Sequence, residues 1–426
     1  MPEANVTVSQ EKQSNLRRCP ECQNEIPLSP GYTVWCDACN WNVLADWKER
    51  PETVFEEFYL KASRRVGEHV FKRMARAKEL QPSLTVSKLL ALLIAASVHC
   101  FTLLVALFGI SLINTINTSN GNNIFFSGVG IGFIILAFCM RPRVNRVPQR
   151  NVVSREHFPT LYKLADEVAA KLGTKRVDLI LINTEFNASF YRAGWIPKNV
   201  LCIGMPLLQI LAPQERVALI GHELAHSANG DWSRSFFVGS AIDSLTTWRD
   251  IFPREGVFVL ITLPISLFLF ELPKLVIYLL VHLLMSDSQR AEYLADHMAS
   301  RAGGTSAALS TLRKLHMTGS MMRALDRFYE MGGKAGISEV LRRSVEAMPS
   351  RELERISRME RLVAARLDAT HPPTVYRMEL LKARPVTQPE VAISDCDNQE
   401  LERELSGIMP EIEEEMLGEY RSRMGY

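Results

Sequence analysis

His222, Glu223 and His226 form an HExxH pattern inside the stretch Leu-Ile-Gly-His-Glu-Leu-Ala-His-Ser-Ala-Asn-Gly-Asp at 219–231. On a helix, two histidines four positions apart stand one turn above each other on one face, so both imidazoles can reach one metal ion. Glu223 projects round the flank, where its carboxylate can touch a water at the metal without being a ligand. That is the position a general base for hydrolysis needs. Only nine histidines occur in 426 residues, so the pattern is uncommon by chance. The helix that carries it should begin near Pro213, with Glu215 in its first turn, and stop around Asn229 and Gly230.

A second set lies seventy residues on, in Ser-Gln-Arg-Ala-Glu-Tyr-Leu-Ala-Asp at 288–296. Glu292 and Asp296 share a helix face at this spacing. One of them can ligate a metal while the other accepts the free ring N–H of a ligand histidine and fixes its tautomer. Near the N-terminus, Cys19 and Cys22 and then Cys36 and Cys39 make two CxxC pairs. Two thiolate pairs on tight knuckles supply a tetrahedral set for one structural zinc, as in a zinc ribbon. A redox role fits less well, because neither pair opens a βαβ unit. The other four cysteines, Cys100, Cys139, Cys202 and Cys396, are scattered, as expected of free thiols in a reducing compartment.

The elements that must hold these residues follow from length and hydropathy. A chain of this length is expected to hold two or more domains. Apolar residues make up 47% and charged residues 23%, and the formal charge of +2 gives no footprint for nucleic acid, so none is expected as a partner. The polar first fifty residues contain no cleavable signal peptide, and residues 1–18 read as disordered. The ribbon occupies 19–45, followed by a basic amphipathic helical linker over 51–88. Residues 89–113 and 124–140 are apolar runs joined by a polar loop, a transmembrane hairpin over 89–140. Gly128 and Gly132 are spaced for close helix packing within it. Arg64, Arg65, Lys72 and Arg73 precede the hairpin and Arg141, Arg143, Arg146 and Arg150 follow it, while the loop has no cation. The positive-inside rule then puts both ends on the cytoplasmic side.

From about residue 153 the pattern turns globular, with a helix over 157–172 and strands near 177–182, 187–190 and 200–203. An apolar insert at 257–285 is interrupted by Glu271, Pro273 and Lys274. It is read as membrane-associated, with a kinked helix, a re-entrant hairpin and an interfacial pair all open. Several helices follow over 305–367, whose Arg/Glu pairs read as an exposed salt-bridged surface. Thr-His-Pro-Pro-Thr at 370–374 breaks them, and residues 386–426 form an acidic helical tail.

Taken together, these motifs resemble the M48 family of membrane zinc metallopeptidases, the bacterial heat-shock membrane proteases and CAAX prenyl proteases. The matching residues are Asn187, Ala188, Ser189 and Phe190; His222 to His226 with Asn229, Gly230 and Asp231; Glu292 to Asp296; and Thr370 to Thr374 with Arg377. The resemblance covers about 89–383. It implies a mainly α, α+β gluzincin domain over 141–385, anchored by the hairpin, with the ribbon added outside the family core. It further implies that His222, His226 and Glu292 bind zinc, Glu223 activates water, Asp296 supports a ligand from behind, and His371 lies near the developing oxyanion. Gln289 stands between Ser288 and Arg290 where the family often has Ser-Arg, which bears on a side-chain anchor and not on the metal.

The function expected is a zinc-dependent endopeptidase of the bacterial inner membrane, cutting misfolded or membrane proteins on the cytoplasmic side. It would carry one catalytic and one structural Zn2+. Its partners would be peptide or protein substrates, the bilayer and an unidentified protein bound by the ribbon. Arg377 or His371 would add a hydrogen bond to the oxyanion, and the strand at Asn187 would pair with substrate. A CAAX-type processing protease and a catalytically idle ribbon adaptor are the alternatives.

Overall fold

The structure is a computed structural model that describes residues 16–44, 54–80, 85–117, 124–228, 231–251, 271–333, 336–363 and 372–425. The ribbon strands β1 (Leu16–Arg18) and β2 (Glu25–Pro27) pair antiparallel. Helix α1 (Val54–Arg76) leads to the long apolar α2 (Val86–Asn117) and the shorter α3 (Ile124–Cys139). Next come β3 (Val152–Val153), α4 (Pro159–Leu172), β4 (Leu179–Asn183), β5 (Ala188–Ala193), β6 (Lys198–Gly204) and α5 (Met205–Ile210). Helices α6 (Pro213–Ala228), α7 (Asp231–Ile251) and α8 (Leu272–Gly303) carry the chemistry-bearing motifs. The remainder is α9 (Thr305–Leu315), α10 (Thr318–Glu330), α11 (Ile337–Glu346), α12 (Ser350–Val363), α13 (Thr374–Ala383) and α14 (Asp395–Met424). The chain is therefore mostly helical with one small mixed sheet.

That sheet has the order β3-β4-β6-β5. β4 runs parallel to β6, and β3 and β5 pair antiparallel at the two edges. Its inward residues Ile180, Ile182, Leu201 and Ile203 pack with Leu161, Val168, Leu219 and Leu224 from α4 and α6. Leu401, Leu405, Ile412, Met416 and Tyr420 of α14 belong to the same core. The acidic tail expected from composition is thus a packed helix, and its charges do specific work. Glu404 accepts the backbone N–H groups of Thr160 and Leu161, capping the first turn of α4, and Glu402 pairs with buried Arg216 of α6 at 2.6 Å.

Among the described residues, one helix is long and apolar enough to cross a membrane. At 32 residues α2 would extend about 48 Å, more than the hydrocarbon core. Leu103, Leu104, Phe108, Ile135 and Phe138 point outward from α2 and α3. These helices meet at Gly109 and Gly130, where a Cβ on either would lie within 2.8 Å of the other's carbonyl oxygen. The expectation for Gly128 and Gly132 is corrected here, since a Cβ on either would meet nothing within 4 Å among the described residues. Close packing selects the glycine facing the partner, and Gly130 is the one that does.

Residues 257–270 of the apolar insert lie outside the described residues. Its second half is continuous with the motif after it, because α8 runs unbroken from Leu272 through Glu292 to Gly303. Val276, Leu280 and Leu284 in its first half pack with Ala91, Ala95 and Val98 of α2 and Val238, Ala241 and Leu245 of α7. One rigid helix thereby links the apolar bundle to the candidate active site.

Candidate active site and metal centres

Helix α6 starts with Glu215 reaching back to the N–H of Ala212 at 2.7 Å, which satisfies a donor at the helix end. Its inner face is stripped of bulk. A Cβ on Gly221 would lie 2.8 Å from Cβ of Ala302, and a Cβ on Gly303 would lie 2.8 Å from Cβ of Ala218. With Ala225, Ala295 and Ala299 also buried, α6 and α8 approach closely enough for short side chains to meet. That approach brings Glu292 to the two histidines.

Nε2 of His222 lies 3.5 Å from one Glu292 oxygen, and Nε2 of His226 lies 3.7 Å from the other. The imidazole centroids are 5.0 Å apart at 84°. One ligand atom from each residue lies within 4.8 Å of the rest. Donors on a tetrahedral zinc with bonds of 2.0–2.2 Å are separated by about 3.3–3.6 Å, so the three residues fit such an ion with small side-chain adjustments. Glu223, beside His222, is 8% exposed.

Asp296 stands behind His222, its Oδ1 3.1 Å from Nδ1, which directs Nε2 toward Glu292. Arg377 of α13 holds Asp296 bidentately at 2.6 and 2.7 Å and reaches Glu292 at 3.4 Å. Burial opposes charge on His222, but the hydrogen bonds its ring N–H groups donate to Asp296 and Glu292, and the negative charge of those carboxylates, outweigh it and push the imidazole up to about 10 when no cation is present. Burial likewise opposes ionisation of Asp296, yet the Arg377 guanidinium keeps its carboxyl below the usual carboxylate range. Arg377 is itself pushed up, burial being outweighed by the Asp296 charge. The result is a chain Arg377–Asp296–His222 with every member buried or nearly so.

The expected oxyanion partners fare differently. Arg377 is 6% exposed and committed to Asp296, so the structure puts it behind the ligands. His371 lies outside the described residues. Asn187 is exposed just ahead of β5, where its carbonyl accepts the Gly204 N–H at 2.8 Å.

A cleft of about 510 Å³ opens on the His226 side. Phe190 and Arg192 of edge strand β5 form one wall, Phe236, Gly239 and Asp243 of α7 the other, and Arg143 lies at its rim. Helix α7 escaped the sequence reading, although Val238, Ala241, Leu245 and Trp248 recur at the spacing of a buried helical stripe.

The second centre is the ribbon. Sγ of Cys19 is 3.6 Å from Sγ of Cys39, and Sγ of Cys22 is 3.5 Å from Sγ of Cys36. Those spacings are far beyond a disulfide bond of about 2.05 Å and close to the roughly 3.8 Å between thiolates on a tetrahedral zinc. Gln23 and Asn40, each following a CxxC pair, adopt φ of 62° and 61°, the left-handed turn that folds a knuckle back on itself. Helix α12 clamps this unit. Arg351 donates to the Trp35 carbonyl, Arg355 to Val43 and Arg358 to Asp37, and the guanidiniums of Arg351 and Arg358 lie over the Trp35 ring. Arg355 also forms a buried pair with Glu352 at 2.8 Å. The arginines read as a solvated surface therefore include the ribbon's docking face.

The family profile described as Peptidase family M48 matches residues 156–385. The chain is 23% identical over 187 residues to Protease HtpX homolog of Methanothermobacter thermautotrophicus, covering 43% of this chain and 69% of the relative. It is 24% identical over 244 residues to Protease HtpX of Pseudomonas putida, covering 54% and 72%. With Protease HtpX homolog of Persephonella marina it shares 28% identity over 183 residues, 40% and 61% of the two chains. No solved structure matches the chain.

Proposed function

The chain belongs to peptidase family M48, and we propose that it is a membrane-anchored zinc endopeptidase that cuts polypeptides on the cytoplasmic side of a bacterial inner membrane. The observation carrying this reading is the convergence of His222, His226 and Glu292 beside Glu223. The first three would hold the zinc. When bound, the ion would supply Lewis acidity and net positive charge at the scissile carbonyl.

The chain's own residues do the rest. Glu223 takes a proton from the attacking water and passes it to the leaving amine nitrogen. Asp296, locked by Arg377, holds His222 in one tautomer and stops it turning away from the site. Edge strand β5 would offer main-chain N–H and C=O groups to an extended substrate, a sequence-tolerant mode that suits unfolded proteins. His371 remains the proposed hydrogen-bond donor to the oxyanion, and the exposed Asn187 a substrate contact. Arg377, given its burial, is proposed as a positioning residue.

Under this reading Cys19, Cys22, Cys36 and Cys39 hold a structural zinc, and 89–140 anchors the chain as a hairpin. Glu223→Gln should retain metal and fold while losing cleavage of an unfolded protein such as casein by at least about a thousandfold. Turnover within a few fold of the unmodified chain would refute the general-base role.

A further inference from the structure

The turn joining β5 to β6 consists of Gly194, Trp195, Ile196 and Pro197. Trp195 is 89% and Ile196 86% exposed, and neither joins a hydrophobic cluster among the described residues. Two adjacent large apolar side chains at the tip of a turn, left uncovered by the described residues, fit a partner that accepts apolar surface.

Their position says which partner. The Gly194 N–H donates to the Asn145 carbonyl at 2.8 Å, and Asn145 lies just past the end of apolar helix α3. A Cβ on Gly194 would meet Val147 at 2.8 Å, so the turn is seated on the segment leaving α3. Its φ of +88° further fixes the turn's direction. Trp195 and Arg143 face the same cleft. Arg143 is exposed, exposed Arg141 and Arg146 neighbour it in sequence, and exposed Lys198 directly follows the turn. Tryptophan flanked by cations, where an apolar helix ends, is the composition that settles at the boundary between acyl chains and headgroups.

We propose that the β5–β6 turn is an interfacial membrane anchor, with Trp195 and Ile196 dipping into the leaflet from which α3 emerges and the flanking cations at the lipid phosphates. The proposal rests on the reading of α2 and α3 as membrane-spanning and is independent of the peptidase chemistry. Its consequence is positional. Because β5 is both the stem of this anchor and a wall of the cleft at His226, the cleft mouth is held at the lipid surface, facing polypeptide segments that leave the bilayer.

The test uses the full chain in nanodiscs of phosphatidylcholine and phosphatidylglycerol, prepared with plain or acyl-brominated lipids, bromine being a short-range quencher of indole fluorescence. The chain has six tryptophans, and Trp195→Phe removes only the one at the turn. The bromine-dependent loss should shrink in Trp195→Phe, and Ile196→Trp should enlarge it. Equal losses in all three proteins would overturn the anchor while leaving the hairpin in the membrane. A chain that does not copurify with discs would overturn both the spanning reading and the anchor. Shielding of Trp195 by a soluble peptide but not by lipid would assign the turn to substrate and overturn the proposal.

Discussion

The four-cysteine ribbon and the His222–His226–Glu292 centre both gather metal-ligand atoms at zinc-like spacing, but they are built by opposite means. In the ribbon the candidate ligands are local in sequence, the core is little more than Ile26, Trp35 and Val43, and four thiolates would close the coordination sphere of an ion held there. At the other centre the ligands come from helices seventy residues apart, and a large shared core brings them together. Three ligands from these residues would leave one side of an ion open, next to a cleft. Where the metal makes the fold, no position is left for chemistry. Where the fold makes the site, one is.

That contrast can be broken at several points, beginning with the largest effect. Glu292→Ala should abolish proteolysis to background and release the catalytic metal, while thermal unfolding of the core shifts little. Retained cleavage would mean that Glu292 is not a ligand. Cys19→Ser with Cys22→Ser should unfold the ribbon, read as newly protease-sensitive bonds in 16–44, with the remainder still cooperatively folded. Global unfolding would show that the ribbon's metal also supports the core.

A smaller effect sharpens the picture of the fold-made site. Arg377→Met leaves the buried Asp296 carboxylate uncompensated and should cost roughly 3–5 kcal/mol in chemical denaturation, much of it recovered by adding Asp296→Asn. Independent additive losses would remove Arg377 from the support of the site. The smallest concerns the docking face: Arg358→Ala, at a partly exposed side chain, should cost about 1 kcal/mol or less and leave cleavage unchanged. A large loss of activity there would tie the ribbon's seat to catalysis.

The same contrast decides what could be read from sequence. The ribbon's ligands are spaced by knuckle geometry, and the HExxH pair by helix geometry, so both were legible without a fold. The spacing of Glu292 and Asp296 gives a shared face but does not say which is the ligand; the family resemblance points to Glu292, and the distances put Glu292 near both Nε2 atoms and Asp296 on Nδ1. Arg377 was legible as a motif residue and not as a buried clamp, because its partner lies on a helix eighty residues away. The ribbon's arginine clamp was hidden for a related reason. Arg and Glu at i,i+3 look alike in solvent and in a desolvated pair such as Glu352–Arg355, and only tertiary burial separates them. The apolar residues after Lys274 hid their continuity with Glu292, since charge composition changes along α8 while the helix does not.

Zinc counted per purified chain, by elemental mass spectrometry, tests the central claim most directly. The account predicts two equivalents, one lost in His222→Ala with His226→Ala and the other lost in Cys19→Ser with Cys22→Ser, each without affecting its counterpart. Zinc content unchanged by replacing His222 and His226 would contradict it.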